Sequence, residues 1–148
     1  MEKVNVQMKL VSVNEGKFSM TLQNIGEKFD PKLLRIAFTN NVQGLDIEKN
    51  MISIVFGTKY TYDGKELLEC FYRFNFSILD LKKYVTINDD KSGTISHIMP
   101  LLLDIALGTM RGIILVKTAG TILYNFPVPV INAAELNKNL SSQQQKAN

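Results

Sequence analysis

The stretch MISIVFGTKYTYDGKELLECFYRFNFSI, residues 51–78, decides the fold. Its first part, Met51 to Tyr62, is dense in β-branched and aromatic residues, the types that fit a pleated, half-buried surface. Asp63-Gly64 follows, a pair that accepts the positive φ angles at both central positions of a tight type I′ hairpin. The returning run places Leu68, Cys70, Tyr72, Phe74, Phe76 and Ile78 at alternate positions, with Glu69, Phe71, Arg73, Asn75 and Ser77 between them. A period of two sends one set to each face of a strand. The stretch therefore reads as a long antiparallel hairpin with one apolar side.

The same period extends toward the N-terminus. Val4, Val6, Met8 and Leu10 alternate with Asn5, Gln7 and Lys9. Asn14-Glu15-Gly16 is a break, a turn or a bulge, after which Phe18, Met20 and Leu22 resume in the same parity. A polar connection from Asn24 to Pro31 carries Ile25 and Phe29. Leu34, Ile36 and Phe38 then alternate, and Asn40 to Asn50 reads as a loop.

Beyond the hairpin the pattern changes. Asn88 to Gly93 is rich in turn residues. A long apolar helix is expected from Thr94 or Ser96, either of which can cap it, with Pro100 at the edge of its first turn. Gly120 is placed to end it in the left-handed conformation. Ile122 to Val130 is expected to run extended, because Pro127 and Pro129 exclude a helix interior. Asn132-Ala-Ala-Glu135 resembles a capping box ahead of a short second helix with Leu136 and Leu140 inward. The expected fold is α+β: a four-stranded antiparallel sheet followed by one long and one short helix packed on it. It is read as one domain over residues 1–140, with a polar, disordered tail over 141–148.

Bulk properties narrow the function. The 148 residues are 45% apolar and 21% charged, a globular mixture. The net charge of +3 is spread out, with Lys82-Lys83 the only lysine doublet. That pattern gives no basic stripe for nucleic acid. Cys70 is the single cysteine, which excludes an internal disulfide and suits a reducing, cytoplasmic setting. Met1 to Leu10 lacks the continuous apolar run of a signal peptide. Ile98 to Val116 has the length and apolarity of a membrane span. It carries Asp104 and Arg111, each costing roughly 2.5–3.5 kcal/mol near a span's centre, so a helix buried between subunits is the preferred reading. No P-loop, dinucleotide fingerprint or nucleophile elbow is found. His97 lacks a recognisable catalytic partner, and Asp89-Asp90 lacks the spacing of a calcium loop. No enzymatic activity, cofactor or metal is expected.

Three stretches resemble the SecB-like family of export chaperones. Phe29-Asp30-Pro31-Lys32-Leu33 is similar to the aromatic-x-Pro-x-aliphatic start of that family's second strand. Glu69 to Ile78, with its Phe76-Ser77-Ile78 ending, resembles the fourth strand in spacing and in its glutamate. Gly120-Thr121 and Pro129-Val130 match the end of the long helix and the apolar loop after it, with agreeing separation. The resemblance implies a cytoplasmic, homotetrameric, ATP-independent holdase built as a dimer of dimers. Its grooves would take unfolded or precursor polypeptides, and an acidic sheet face would dock SecA. Glu69 matches the acidic position of the fourth strand, and Glu15 one after the first strand's bend. The family is usually acidic; the net positive charge here, and Arg73 beside Glu69, weigh against SecA. A SecB-like chaperone dedicated to a toxin–antitoxin system, with an antitoxin as client, is the alternative.

The residues suggest where such grooves lie. Ile122, Tyr124, Phe126, Val128 and Val130 are large apolar groups on a segment without regular structure. Such a loop either buries itself or offers a patch to partners. Ile25 and Phe29 are candidates for the same groove, with Phe29 equally suited to anchoring the second strand. Gly108 and Gly112, four apart on one helix face with Arg111 nearby, mark a candidate oligomer interface. A structural or small-ligand-binding oligomer of the same fold is the reading from another class.

Overall fold

The computed structural model describes residues 6–90, 93–95 and 97–129. The chain forms two compact units, Met1–Leu81 and Lys82–Asn148. The first is an antiparallel sheet of β1 (Met8–Met20), β2 (Leu34–Asp46), β3 (Met51–Tyr62) and β4 (Lys65–Ile78), in the order β1-β4-β3-β2. The second contains a small antiparallel pair, β5 (Val85–Ile87) and β6 (Gly93–Ile95), and the helix α1 (Met99–Lys117). The architecture is α+β, as the pattern predicts. The expected second helix near Asn132 and the tail lie outside the described residues.

The central hairpin forms as read. Asp63 and Gly64 take φ of 50° and 80°, and Tyr62 pairs with Lys65. Ile52, Ile54, Phe56 and Tyr60 of β3, with Leu68, Phe74, Phe76 and Ile78 of β4, are fully buried along one face of the sheet. Burying side chains of this size contributes about 1.5–3 kcal/mol each. The opposite face is polar: Asn75 donates to Ser12 Oγ at 2.9 Å and to Asn14 Oδ1 at 3.1 Å.

The break in β1 is a bulge, and it has a counterpart. Register shifts fall between Leu10 and Ser12 and again between Glu15 and Lys17. Each inserts one residue and reverses which face follows. Leu10, Val13, Glu15 and Phe18 therefore all lie opposite members of the apolar set of β4, namely Phe76, Phe74, Tyr72 and Cys70. Two reversals cancel, which is why the parity on either side looks undisturbed.

Three expectations need correction. Asn40 to Asn50 is not a loop: β2 continues to Asp46, and only residues 47–50 form the turn. Asn40, Asn41 and Gln43 are poor strand formers in general, but an edge strand tolerates them. The long helix begins at Met99, because Gly93–Ile95 pairs with β5 and His97 turns the chain at φ 67°. Pro100 consequently falls in the first turn, where its missing N–H is harmless. Finally, Ile122–Asn125 is a 3-10 turn and not an extended run.

Candidate functional site

The segment after α1 is held at both ends. Thr118 donates its hydroxyl to Ile114 O at 2.7 Å, and Gly120 reverses the chain with φ 82°. Thr121 then caps the 3-10 turn: its Oγ1 donates to Thr118 O at 2.8 Å and accepts from Leu123 N at 3.2 Å. A 3-10 turn eclipses residues three apart, so Leu123 and Phe126 share a side. Leu123 is fully buried and Phe126 partly so. Ile122 and Tyr124 project the other way, 38% and 46% exposed. Val128 is buried again. Two of the predicted apolar residues are therefore on offer and Val128 is not; Val130 lies outside the described residues.

Arg111 fastens the far end. Its Nε donates to Val128 O at 2.9 Å and its Nη2 to Pro129 O at 3.1 Å. Within the chain, the Arg111 guanidinium is thus engaged by two loop carbonyls. A lone arginine in an apolar helix, followed by a loop with two prolines, was a signal for such a bond. Proline-rich backbone has few N–H groups of its own and leaves carbonyls to be satisfied.

Ile25 and Phe29 belong to the first unit. Ile25 is half-buried and ends a 3-10 turn, Leu22–Ile25, tied to β4 by Asn24 Nδ2 donating to Glu66 O at 2.7 Å. Phe29 stacks on Tyr62 with ring centroids 5.2 Å apart. The Tyr62 hydroxyl accepts from Asp30 N at 2.8 Å and donates to Lys28 O at 3.2 Å. Asp30 in turn caps the turn Pro31–Leu33 that leads into β2. The geometry makes Phe29 an anchor for the start of β2.

Glu15 and Glu69 do not share a sheet face. Glu15 lies opposite Tyr72 and accepts its hydroxyl proton at 2.7 Å. Glu69 is on the polar face, 3.3 Å from Lys17 and 3.8 Å from Lys59, which also reaches Glu66 at 3.8 Å. A hydrogen bond with the Glu66 carboxyl, then that from Lys17, lowers the Glu69 pKa, while the bond to Glu69 raises that of Glu66. The acidic position is thus set in a mixed-charge row. Beside it, Ala37, Thr39, Gly57 and Phe71 line a depression of about 290 Å³. The Phe71 ring covers Gly16: a Cβ there would stand 2.5 Å from Cδ2.

On α1, Gly108 and Gly112 are exposed, and among the described residues a Cβ on either would meet nothing within 4 Å. With Ile113 and Val116 they line an open apolar groove of about 480 Å³. The helix has a mean hydropathy of 1.7 and is long and apolar enough to cross a membrane by length and composition. Its buried side consists of Leu102, Leu103, Ala106, Leu107, Met110 and Ile114, while Asp104 is exposed. His97 is exposed. Burial pushes the Cys70 thiol up to about 11, which keeps it protonated and unreactive at neutral pH. Among the described residues no three His, Cys, Asp or Glu side chains are grouped to hold a metal.

One feature of the sheet was missed in the sequence. β2 is an edge strand, and Leu34 to Val42 pairs with β3 without interruption. From Ile36 to Leu45 it carries no charge. The Asn40 amide nitrogen is buried on this strand without a hydrogen-bond partner. No protein-family model matches the chain, and no curated protein matches it.

Proposed function

We propose that the protein is an ATP-independent holdase of the SecB-like kind, which keeps unfolded or precursor polypeptides extended by covering their apolar side chains. The observation that carries this reading is the turn Ile122–Asn125, where Ile122 and Tyr124 stand exposed while Leu123 and Val128 anchor the segment. Apolar burial contributes about 25 cal/mol per Å² and has little directionality, so such a surface accepts varied clients. The uncharged edge of β2 adds main-chain hydrogen bonding, the second ingredient of sequence-tolerant peptide capture.

A homo-oligomer, a dimer of dimers by resemblance, fits the open Gly108–Gly112 groove, where a Cβ on either glycine would meet nothing within 4 Å among the described residues. The mixed-charge setting of Glu69 favours a dedicated client, such as an antitoxin, over delivery through SecA. Purified protein at stoichiometric amounts, without ATP, is expected to stop an unfolded client from aggregating. The double variant Ile122→Ser, Tyr124→Ser should lose at least tenfold in client affinity, of the order given by removing two exposed apolar contacts. Its mass by light scattering should not change. Full holding by the variant, or none by the parent protein, would sink the proposal.

A further inference from the structure

We propose that Arg111 is the positioning residue of the client-binding loop, fixing the path of residues 126–129 so that Ile122 and Tyr124 face outward; this rests on the holdase reading. The loop contains two prolines, Pro127 and Pro129, whose φ angles are locked near −65°. A segment so restricted has few remaining freedoms, and holding two adjacent carbonyls removes most of them. Arg111 holds those of Val128 and Pro129 at 2.9 and 3.1 Å.

The residue type matters. A guanidinium presents donors in a planar fork and reaches two acceptors at once. A lysine ammonium at the end of a flexible stem is a point charge without that fork. Hydrogen bonds from a charged donor are also the stronger kind. The other end of the segment is independently fixed by Gly120 and the Thr121 cap. Arg111 is therefore a side-chain clamp on the side of the turn that the prolines approach. Its position in the middle of α1, among Met110, Gly112 and Ile113, ties loop conformation to the helix that also carries the open glycine groove.

Two readouts separate positioning from general stability. Chymotrypsin cleaves after Tyr124 but resists the Phe126–Pro127 bond, so its rate at Tyr124–Asn125 reports how firmly the turn is held, with no client present. Client affinity is measured in parallel, with mass by light scattering. Arg111→Ala should speed cleavage and weaken client affinity, each on the order of tenfold for the loss of the charged hydrogen bonds. Arg111→Lys, which keeps charge and length, should give intermediate values and guards against a variant that fails to fold. Mass should stay unchanged throughout. Unchanged cleavage overturns the clamp. Faster cleavage with unchanged client affinity overturns its role in binding. Loss of mass with unchanged cleavage assigns Arg111 to a subunit contact instead. If the parent protein holds no client, the holdase reading fails by itself, and the cleavage rates still decide whether Arg111 positions the loop.

Discussion

The two edges of the sheet are built in opposite ways. β1 is interrupted by two bulges and carries Lys9, Glu15 and Lys17. β2 runs straight from Leu34 to Val42, with Arg35 its one charge before Asp46. Bulges and charges are the usual means of blunting an edge against pairing with another chain. β1 has both, while β2 has neither along most of its length. Among the described residues nothing pairs with the outer side of β2, and an exposed, uncharged edge of this kind carries an aggregation risk. Under the proposed holdase reading, an extended client would lie along β2.

Proline substitution is the strongest way to break this contrast. Along an edge strand, alternate residues turn their N–H toward the partner strand and toward the open side. Thr39→Pro and Asn40→Pro therefore remove one N–H of each kind. One variant should lose about 3 kcal/mol, from a broken ladder bond and an orphaned carbonyl. The other should keep its stability but lose client affinity. Denaturant titration and a client-binding assay on both variants would check this. If the stable variant binds clients as before, the β2 edge is idle.

A smaller effect sharpens the β1 side. A methyl group on Gly16 would stand 2.5 Å from the Phe71 ring and 3.2 Å from Phe71 O. On Gly57 it would meet chiefly the Thr39 hydroxyl, at 2.6 Å, which can rotate away. Gly16→Ala should cost about 1–3 kcal/mol by displacing an aromatic ring, and Gly57→Ala less. Phe71→Ala should relieve the first cost and leave the second nearly untouched. A double-mutant cycle for Gly16 and Phe71 with coupling below about 0.5 kcal/mol would show that the ring does not secure the bulge.

The contrast between the edges also marks what could be read in the sequence. β3, β4 and their Asp63-Gly64 turn were legible because burial on one face imposes strict alternation. β1 was legible as a strand and its break at Asn14-Glu15-Gly16 as a turn or bulge, but the companion bulge between Leu10 and Ser12 was not, because two one-residue reversals restore the parity. The second half of β2 was lost because Asn40, Asn41 and Gln43 are turn-type residues when taken singly. In the candidate site, the apolar character of residues 122–130 was visible. Which side chains turn outward was not, since that depends on a 3-10 turn held by Thr121 at one end and by Arg111 beyond the other. Arg111 was visible as an anomaly in an apolar helix, but its partners are backbone atoms 17 and 18 residues away, which no periodicity reports.

The smallest effect concerns how β1 is fastened at its second bulge. There the Tyr72 hydroxyl donates to Glu15 at 2.7 Å. Burial, then the hydrogen bond to Glu15, raises the Tyr72 pKa above its ordinary 10.0. The folded chain thus favours the neutral phenol. That contribution is fully present below about pH 10 and is lost as pH rises through the folded-state value. Tyr72→Phe should cost about 1 kcal/mol at pH 7, the net worth of one hydrogen bond. It should also flatten the fall in stability above pH 10. It will not abolish that fall, because burial raises Cys70 to about 11 and Tyr60 to about 12 on neighbouring positions of the same face. Denaturant midpoints from pH 7 to 11 for both proteins test this. Parallel curves would mean that the phenol's proton does not hold the β1 edge, and the blunting of that edge would then rest on its bulges and lysines alone.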